Sequence, residues 1–272
     1  MKVAGIFGSF NIESTVARRA SAIMPSSGLT FSFGCWTNID GGLPATVNNL
    51  TIANAAGLTL NSTNAVSGVC TVNAGAFLLG AGRLNGGTLI LNGAIAPGVG
   101  VGQFTSGAQT WNGGAGYNWE LNNATGGPGS GWDLLSLTTG QGVNLQATNG
   151  TPFSVRLITL NGTTPGLAAN FSKTNSYTWT IAVATNATVT NFTADKFVID
   201  ATQFSNDISG GTFSVELAGS ELHLKFTAAP TQLTVSSASL PNGTVNAAYT
   251  ATLTAVGGMS IFVIPIQTRR VN

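Results

Sequence analysis

The chain has 272 residues, 43% of them hydrophobic and 7% charged, with a formal net charge of +1. An average soluble domain is roughly a quarter charged, so the polar surface here must consist of hydroxyls and amides. This many apolar residues exclude the composition of a disordered chain. The lack of a basic stripe excludes the electrostatic footprint of a nucleic-acid binder, and no apolar run approaches the ~18 residues that cross a bilayer.

Residues 1–42 form a poorly defined N-terminal segment. "MKVAGIFGSFNIESTVARRASAIM" combines Lys2, a short apolar run and Ala20-Ser21-Ala22. Glu13, Arg18 and Arg19 stand between the run and the small residues, the wrong order for a secretory signal. Residues 12–24 are the one stretch with helical character, and Pro25 closes it.

From residue 43 to 110, apolar pairs at period two recur at a nearly constant interval. Leu50/Ile52, Cys70/Val72 and Leu89/Leu91 form one series, 20 and then 19 residues apart. Leu58/Leu60, Ala76/Leu78 and Ile95 form a second, advancing by about 18, and Val66 to Leu84 a third. Gly57, Gly75 and Gly93 keep step between them. Three strand positions per turn, repeating at about 19 residues, is the pattern of a β-solenoid. Each rung is too small to bury its own apolar face, but stacked rungs make a continuous column. Thr51, Thr71 and Ile90 lie between the paired apolar residues and are expected to point outward. Stacking rungs would superimpose like charges, which accounts for Arg83 being the only charged residue between Asp40 and Glu120. An antiparallel sandwich with coincidental spacing is the competing fold.

Residues 111–228 have a different texture, with longer strand-like runs such as "FSVRLITLNG" and "YTWTIAVA". Phe213/Val215/Leu217 and Leu222/Leu224/Phe226 alternate around Ala218-Gly219-Ser220 and predict a hairpin. The region is expected to be an antiparallel β cap that closes one end of the solenoid. Residues 229–272 begin as a linker at "AAPTQL" and continue as one strand-turn-strand unit, too short for a sandwich of roughly 100 residues. The expected fold class is all-β: a short parallel β-solenoid, an antiparallel cap and a truncated immunoglobulin-like fragment.

The segments "GAGRLNGGTLILNGAIAPGVGVGQFTSG", "YNWELNNATGGPGSGWDLLSL", "FSVRLITLNG", "YTWTIAVA" and "GGTFSVELAGSELHLKF" resemble the C-terminal region of bacterial surface proteins with autotransporter-associated β-strand repeats, some of which end in a PEP-CTERM sorting signal. The likeness covers residues 43–228. "SLPNGTVNAAYTATLTAVGG" similarly resembles the start of bacterial Ig-like domains and departs from that pattern after Gly258. The resemblance implies a secreted or cell-surface location and a non-enzymatic structural or adhesive role. It carries over no catalytic residue.

Candidate chemistry is sparse. His223 is the only histidine, and Leu222 and Leu224 beside it place it on the outer face of a strand, without the companions a triad or a zinc site needs. Glu120 and Asp133 are the one carboxylate pair that could serve a glycosidase-like reaction, and a strand cap or turn hydrogen bond explains them equally well. The glycine loops carry Asn and Thr where calcium-binding repeats carry Asp, so neither a metal nor a cofactor is expected. Cys35 and Cys70 lack metal-ligand spacing, and Cys70 is expected to be a buried thiol. Trp111, Tyr117, Trp119 and Trp132 could stack on sugar rings if exposed, or plug the end of the apolar column if buried. The expectation is a stalk, adhesin or matrix segment with polysaccharide or cell-surface partners. A carbohydrate-binding module built on those four aromatics and a β-helix polysaccharide-degrading enzyme are the alternatives.

Overall fold

A computed structural model of the chain describes residues 10–11, 28–31, 36–39, 47–64, 66–230, 234–235, 242 and 255–256. The helix expected over residues 12–24 and Cys35 lie outside these, as do most of residues 229–272. In that last segment the described part is a short antiparallel pairing of Thr234–Val235 with Ala255–Val256.

Three large sheets organise the rest. The first contains, in spatial order, Phe10–Asn11, Leu29–Phe31, Leu50–Ile52, Val69–Val72, Thr88–Leu91, Gln109–Trp111, Val143–Leu145 and Val189–Thr190. The second runs through Trp36–Ile39, Gly57–Leu60, Phe77–Gly80, Ala94–Pro97, Gly116–Leu121 and Phe153–Asn161, with Phe197–Gln203 added beyond. The third contains Thr63–Asn64, Arg83–Leu84, Gln103–Ser106, Leu134–Leu137, Tyr177–Ala184, Glu221–Thr227 and Thr212–Ala218. Between residues 50 and 184 the chain visits the three sheets in rotation, and each strand except the short Thr164–Pro165 lies parallel to the one a full turn earlier. The fold is all-β with many-stranded parallel sheets, compatible with a β-solenoid.

The register in the first sheet follows the apolar pairs. Leu50 opposes Cys70, Cys70 opposes Leu89, and Leu89 opposes Gln109. Ile52, Val72, Leu91 and Trp111 form the neighbouring inward column, and all are buried. The residues between them, Thr51, Thr71, Ile90 and Thr110, are half-exposed, as period-two alternation requires. Inward side chains from all three sheets belong to one apolar cluster.

The other two series are phased differently from the expectation. Leu58 pairs with Leu78 rather than Ala76, and Leu78 with Ile95. Leu84 sits on Asn64, while Val66 bridges Val47. Gly57 lies against Phe77, so the glycines at 57, 75 and 93 do not stack. Turn lengths differ from rung to rung, so a fixed step of 18 slips by two. A slip of two preserves which side chains point inward. Gly80 is needed at its corner: its φ is +106°, and a Cβ there would collide with the carbonyl oxygen of Leu60.

The expected antiparallel cap over residues 111–228 needs correcting. Parallel winding continues well past Trp111, through Gly116–Leu121 on Phe153–Asn161 and Phe153–Asn161 on Phe197–Gln203. Within this region antiparallel pairing of named strands is confined to Phe153–Asn161 with Thr164–Pro165, Tyr177–Ala184 with Glu221–Thr227, and the hairpin Thr212–Ala218/Glu221–Thr227. The hairpin turns at Gly219, as its alternation predicts. Phe171 packs within 5.2 Å, centroid to centroid, of the Tyr177, Phe204 and Phe226 rings, forming an aromatic layer against this end of the core.

Outside the column, amides bridge successive turns. Asn112 Nδ2 donates to Asn92 Oδ1 at 2.8 Å, one rung away, and the backbone N–H groups of both residues donate to the rung before, to Leu91 and Val72. Asn92→Ala removes the side-chain link and is expected to cost about 1 kcal/mol. Urea unfolding checks this; an unchanged midpoint would show that the amide link adds nothing to the backbone ladder.

Candidate functional site

The four aromatic candidates are buried. Trp111, Tyr117 and Trp119 have no exposed surface and Trp132 retains 8%. Trp111 stacks on Phe153 with centroids 4.6 Å apart, and Trp119 packs on Trp179 at 5.4 Å. Their polar atoms are also taken. The indole N–H groups donate to Gln109 Oε1 (Trp111, 2.7 Å), the Asp133 carbonyl (Trp119, 3.0 Å) and the Thr180 carbonyl (Trp132, 3.0 Å), and the Tyr117 hydroxyl donates to the Ile181 carbonyl at 3.4 Å. None of the four can offer a face to a sugar ring, which removes the stacking platform considered from the sequence. The reason is geometric: each is an inward residue of its strand or of the loop folded against it.

Glu120 and Asp133 do come together, but not as a catalytic pair. Asp133 is fully buried. Its Oδ1 accepts the Gly102 N–H at 2.7 Å and its Oδ2 accepts the Glu120 N–H at 3.0 Å. One carboxylate therefore fastens the start of Leu134–Leu137 to the preceding turn and to the end of Gly116–Leu121. It closes the excursion 122–133, which the chain makes between the second and third sheets. Burial pushes the Asp133 carboxyl well above its ordinary value, with Glu120's charge adding to the rise and the two N–H donors opposing it. Glu120, half-buried, is raised by desolvation as well. With both oxygens of Asp133 engaged and no surface exposed, it has no access to a substrate.

His223 lies on the outer side of its strand, as expected, though only partly exposed. Its Nε2 is 2.8 Å from Glu221 Oε2, which also accepts a hydrogen bond from the Thr180 hydroxyl at 3.0 Å. The arrangement is a hydrogen-bonded surface cluster, and Lys225 pairs with Glu216 at 3.5 Å on the same hairpin. Among the described residues no group of three or more His, Cys, Asp or Glu side chains could hold a metal. Cys70 is a buried thiol within the column, and burial pushes its pKa up to about 12, which keeps it protonated and unreactive.

One surface feature escaped the reading of the sequence. The outer face of the first sheet carries a shallow groove of about 450 Å³, lined in part by Thr110, Asn144, Asn186, Ala187, Thr188 and Thr190. Its residues come from three successive turns, at spacings of 34 and 46 residues between register partners (Gln109 to Val143 to Val189). No fixed repeat could have grouped them. The only available signal was the outward hydroxyl column begun by Thr51 and Thr71.

No family model matches the chain, and comparison with curated proteins finds no match. Among the described residues no helix is long and apolar enough to cross a membrane.

Proposed function

We propose that this chain is a non-enzymatic structural or adhesive segment of an extracellular bacterial repeat protein. In this reading it is a β-solenoid whose regular part has about 19 residues per rung, followed by a linker and the truncated start of an Ig-like module. The observation that carries the reading is the continuous inward column, mainly apolar and interrupted by a few buried polar side chains such as Asn64, Ser106 and Gln109. Each turn buries its inward side chains against the next, and the resemblance to autotransporter-associated repeat proteins supplies the setting. Register steps of 20, 19 and 20 residues along Leu50, Cys70, Leu89 and Gln109 support the repeat length. A stack of this kind resists bending, because its parallel ladders run its length and each turn is bonded to both neighbours. The nearly uncharged, hydroxyl- and amide-rich surface suits contact with neutral polymers.

The test is immunolabelling of intact cells of the producing bacterium. Labelling without permeabilisation is the expected result, and labelling only after permeabilisation would overturn the surface assignment. A reducing-sugar assay against a panel of polysaccharides is expected to show no turnover. Measurable turnover would overturn the non-enzymatic part.

A further inference from the structure

Charge is unevenly distributed over the three sheets. Every charged strand residue among those described lies on the second or third: Glu120, Arg156 and Asp200 on the second, Arg83, Glu216, Glu221 and Lys225 on the third. The outer face of the first has none. Its central column reads Thr51, Thr71, Ile90, Thr110, Asn144 and Thr190 in strict register. The positions on one side of that column, residues 49, 69, 88, 108, 142 and 188, are Asn, Val, Thr, Ala, Gly and Thr. The groove lies at the late end of this face.

The groove's polar groups are neutral and only partly engaged: the Thr190 hydroxyl donates to Asn144 Oδ1 at 3.3 Å. Asn144 Oδ1 accepts from Gln146 Nε2 at 2.8 Å and Asn191 Nδ2 at 2.9 Å. That fixes the amide and leaves its Nδ2 donor unused by the described residues. The Thr110 and Thr188 hydroxyls and the Asn186 amide likewise make no side-chain hydrogen bond among the described residues. Thr110, Asn144 and Thr190 stand on adjacent strands, about 4.8 Å apart, while Asn186 and Thr188 come from the turn that leads into Val189–Thr190. Ala108 and Ala187 add methyl groups to the lining.

We propose that this groove binds a neutral hexose chain. The lining itself carries no charge to pair with an anionic ligand, and the nearby cation, Lys196, is engaged at the rim by the Asn191 carbonyl at 2.6 Å. A pyranose presents hydroxyls that each donate and accept, and C–H faces that fit against methyls, and the groove offers both. Its volume lies within the ~300–1,000 Å³ typical of small-ligand sites. Because the sheet is rigid, little ordering entropy is lost on binding. A second copy of this chain is the weaker occupant, since a face of Thr, Asn and Gly lacks the apolar centre of a stable homodimer interface. The inference gives the adhesive reading a partner and rests on that reading only for its setting.

The experiment is calorimetric titration of the full chain with cellohexaose, maltohexaose and mannohexaose, and with hexagalacturonate as the charged counterpart. At least one neutral hexamer is expected to saturate with a Kd of about 1 mM or tighter, and hexagalacturonate is not. Thr188→Trp, which fills the groove, and Thr110→Lys, which places a charge in it, should each weaken binding roughly tenfold at an unchanged urea midpoint. Failure of all three neutral hexamers, equal binding of hexagalacturonate, or binding indifferent to Thr188→Trp overturns the proposal. So does a dimer that Thr188→Trp dissociates in the absence of glycan binding, which would assign the groove to a second copy. Loss of glycan binding leaves a scaffold role intact, and failure of surface labelling leaves the groove's chemistry intact, so the two failures are distinguishable.

Discussion

Leu89→Asp is expected to unfold the protein at far lower urea than the parent, while Ile90→Thr leaves the midpoint nearly unchanged. Leu89 is fully buried, in register with Cys70 on one side and Gln109 on the other. Gln109 is no rescue, because its amide already donates to Ser106 Oγ at 2.9 Å and accepts from the Trp111 indole at 2.7 Å. A carboxylate at position 89 would have no cation among its register neighbours, and an unpaired buried charge costs several kcal/mol even after relaxation. That is a large share of the ~5–15 kcal/mol by which a domain is stable. One residue along, Ile90 points outward between Thr71 and Thr110. Threonine at 90 repeats what both neighbouring strands carry and retains the β-branch that suits a pleated surface. The pair of urea curves tests the register as a whole, since a slip of one residue would exchange the two outcomes. A collapsed Ile90→Thr beside a parent-like Leu89→Asp would overturn it.

The second large effect is expected at Asp133. Asp133→Ala strands the N–H groups of Gly102 and Glu120, both currently satisfied by one carboxylate. Leaving two backbone donors unsatisfied in a buried setting costs about 3 kcal/mol in total. The excursion 122–133 is the segment released, so hydrogen exchange at Gly102 and Glu120 should rise by more than the global destabilisation explains. Asp133 also makes stability depend on pH in an unusual direction. Its carboxyl is raised in the folded state, chiefly by desolvation and then by Glu120, against the opposing pull of its two N–H donors. A carboxyl held above its unfolded value binds its proton more tightly in the native chain. Its stabilising contribution is whole below the ordinary carboxylate value and is lost as pH rises through the raised one. The lowered carboxyls of Asp195, Asp200, Asp207 and Glu221 work the other way, losing stability as pH falls. They are largely exposed, and solvent screening keeps their effect small. The urea midpoint is therefore expected to fall in the parent as pH rises above the ordinary carboxylate value, and to fall less in Asp133→Asn, where Glu120 remains as a raised carboxyl. A parent midpoint that instead rises steadily over the same range would show that the two N–H donors outweigh burial.

Much of the inward and outward assignment was legible in the residues themselves. Leu50, Ile52, Cys70, Val72, Leu89 and Leu91 could be placed inside, and Thr51, Thr71 and Ile90 outside, because alternation along a strand is a local property with a period of two. The hairpin around Gly219 was readable for the same reason, since both strands and their turn lie within sixteen residues, Thr212–Thr227. The second and third series were mis-phased by about two residues because the pairing partner depends on turn length as well as strand pattern.

Sequence by itself determined an all-β chain of short strands, the inward faces of the early turns and the scarcity of charge along them. Tertiary structure alone decided how far the parallel winding runs, because between Gln109 and Val189 the turns lengthen to 34 and 46 residues and no periodicity survives. It decided that Trp111, Tyr117, Trp119 and Trp132 fill the core instead of facing solvent, since an aromatic reads the same in sequence on either side of a strand. It also decided that Asp133 is a buried clasp rather than half of a catalytic pair, because its partner Gly102 is 31 residues away. The groove on the uncharged face has the same origin. Thr110, Asn144 and Thr190 become neighbours only when three turns of different length stack in register, and stacking is a property of the folded chain.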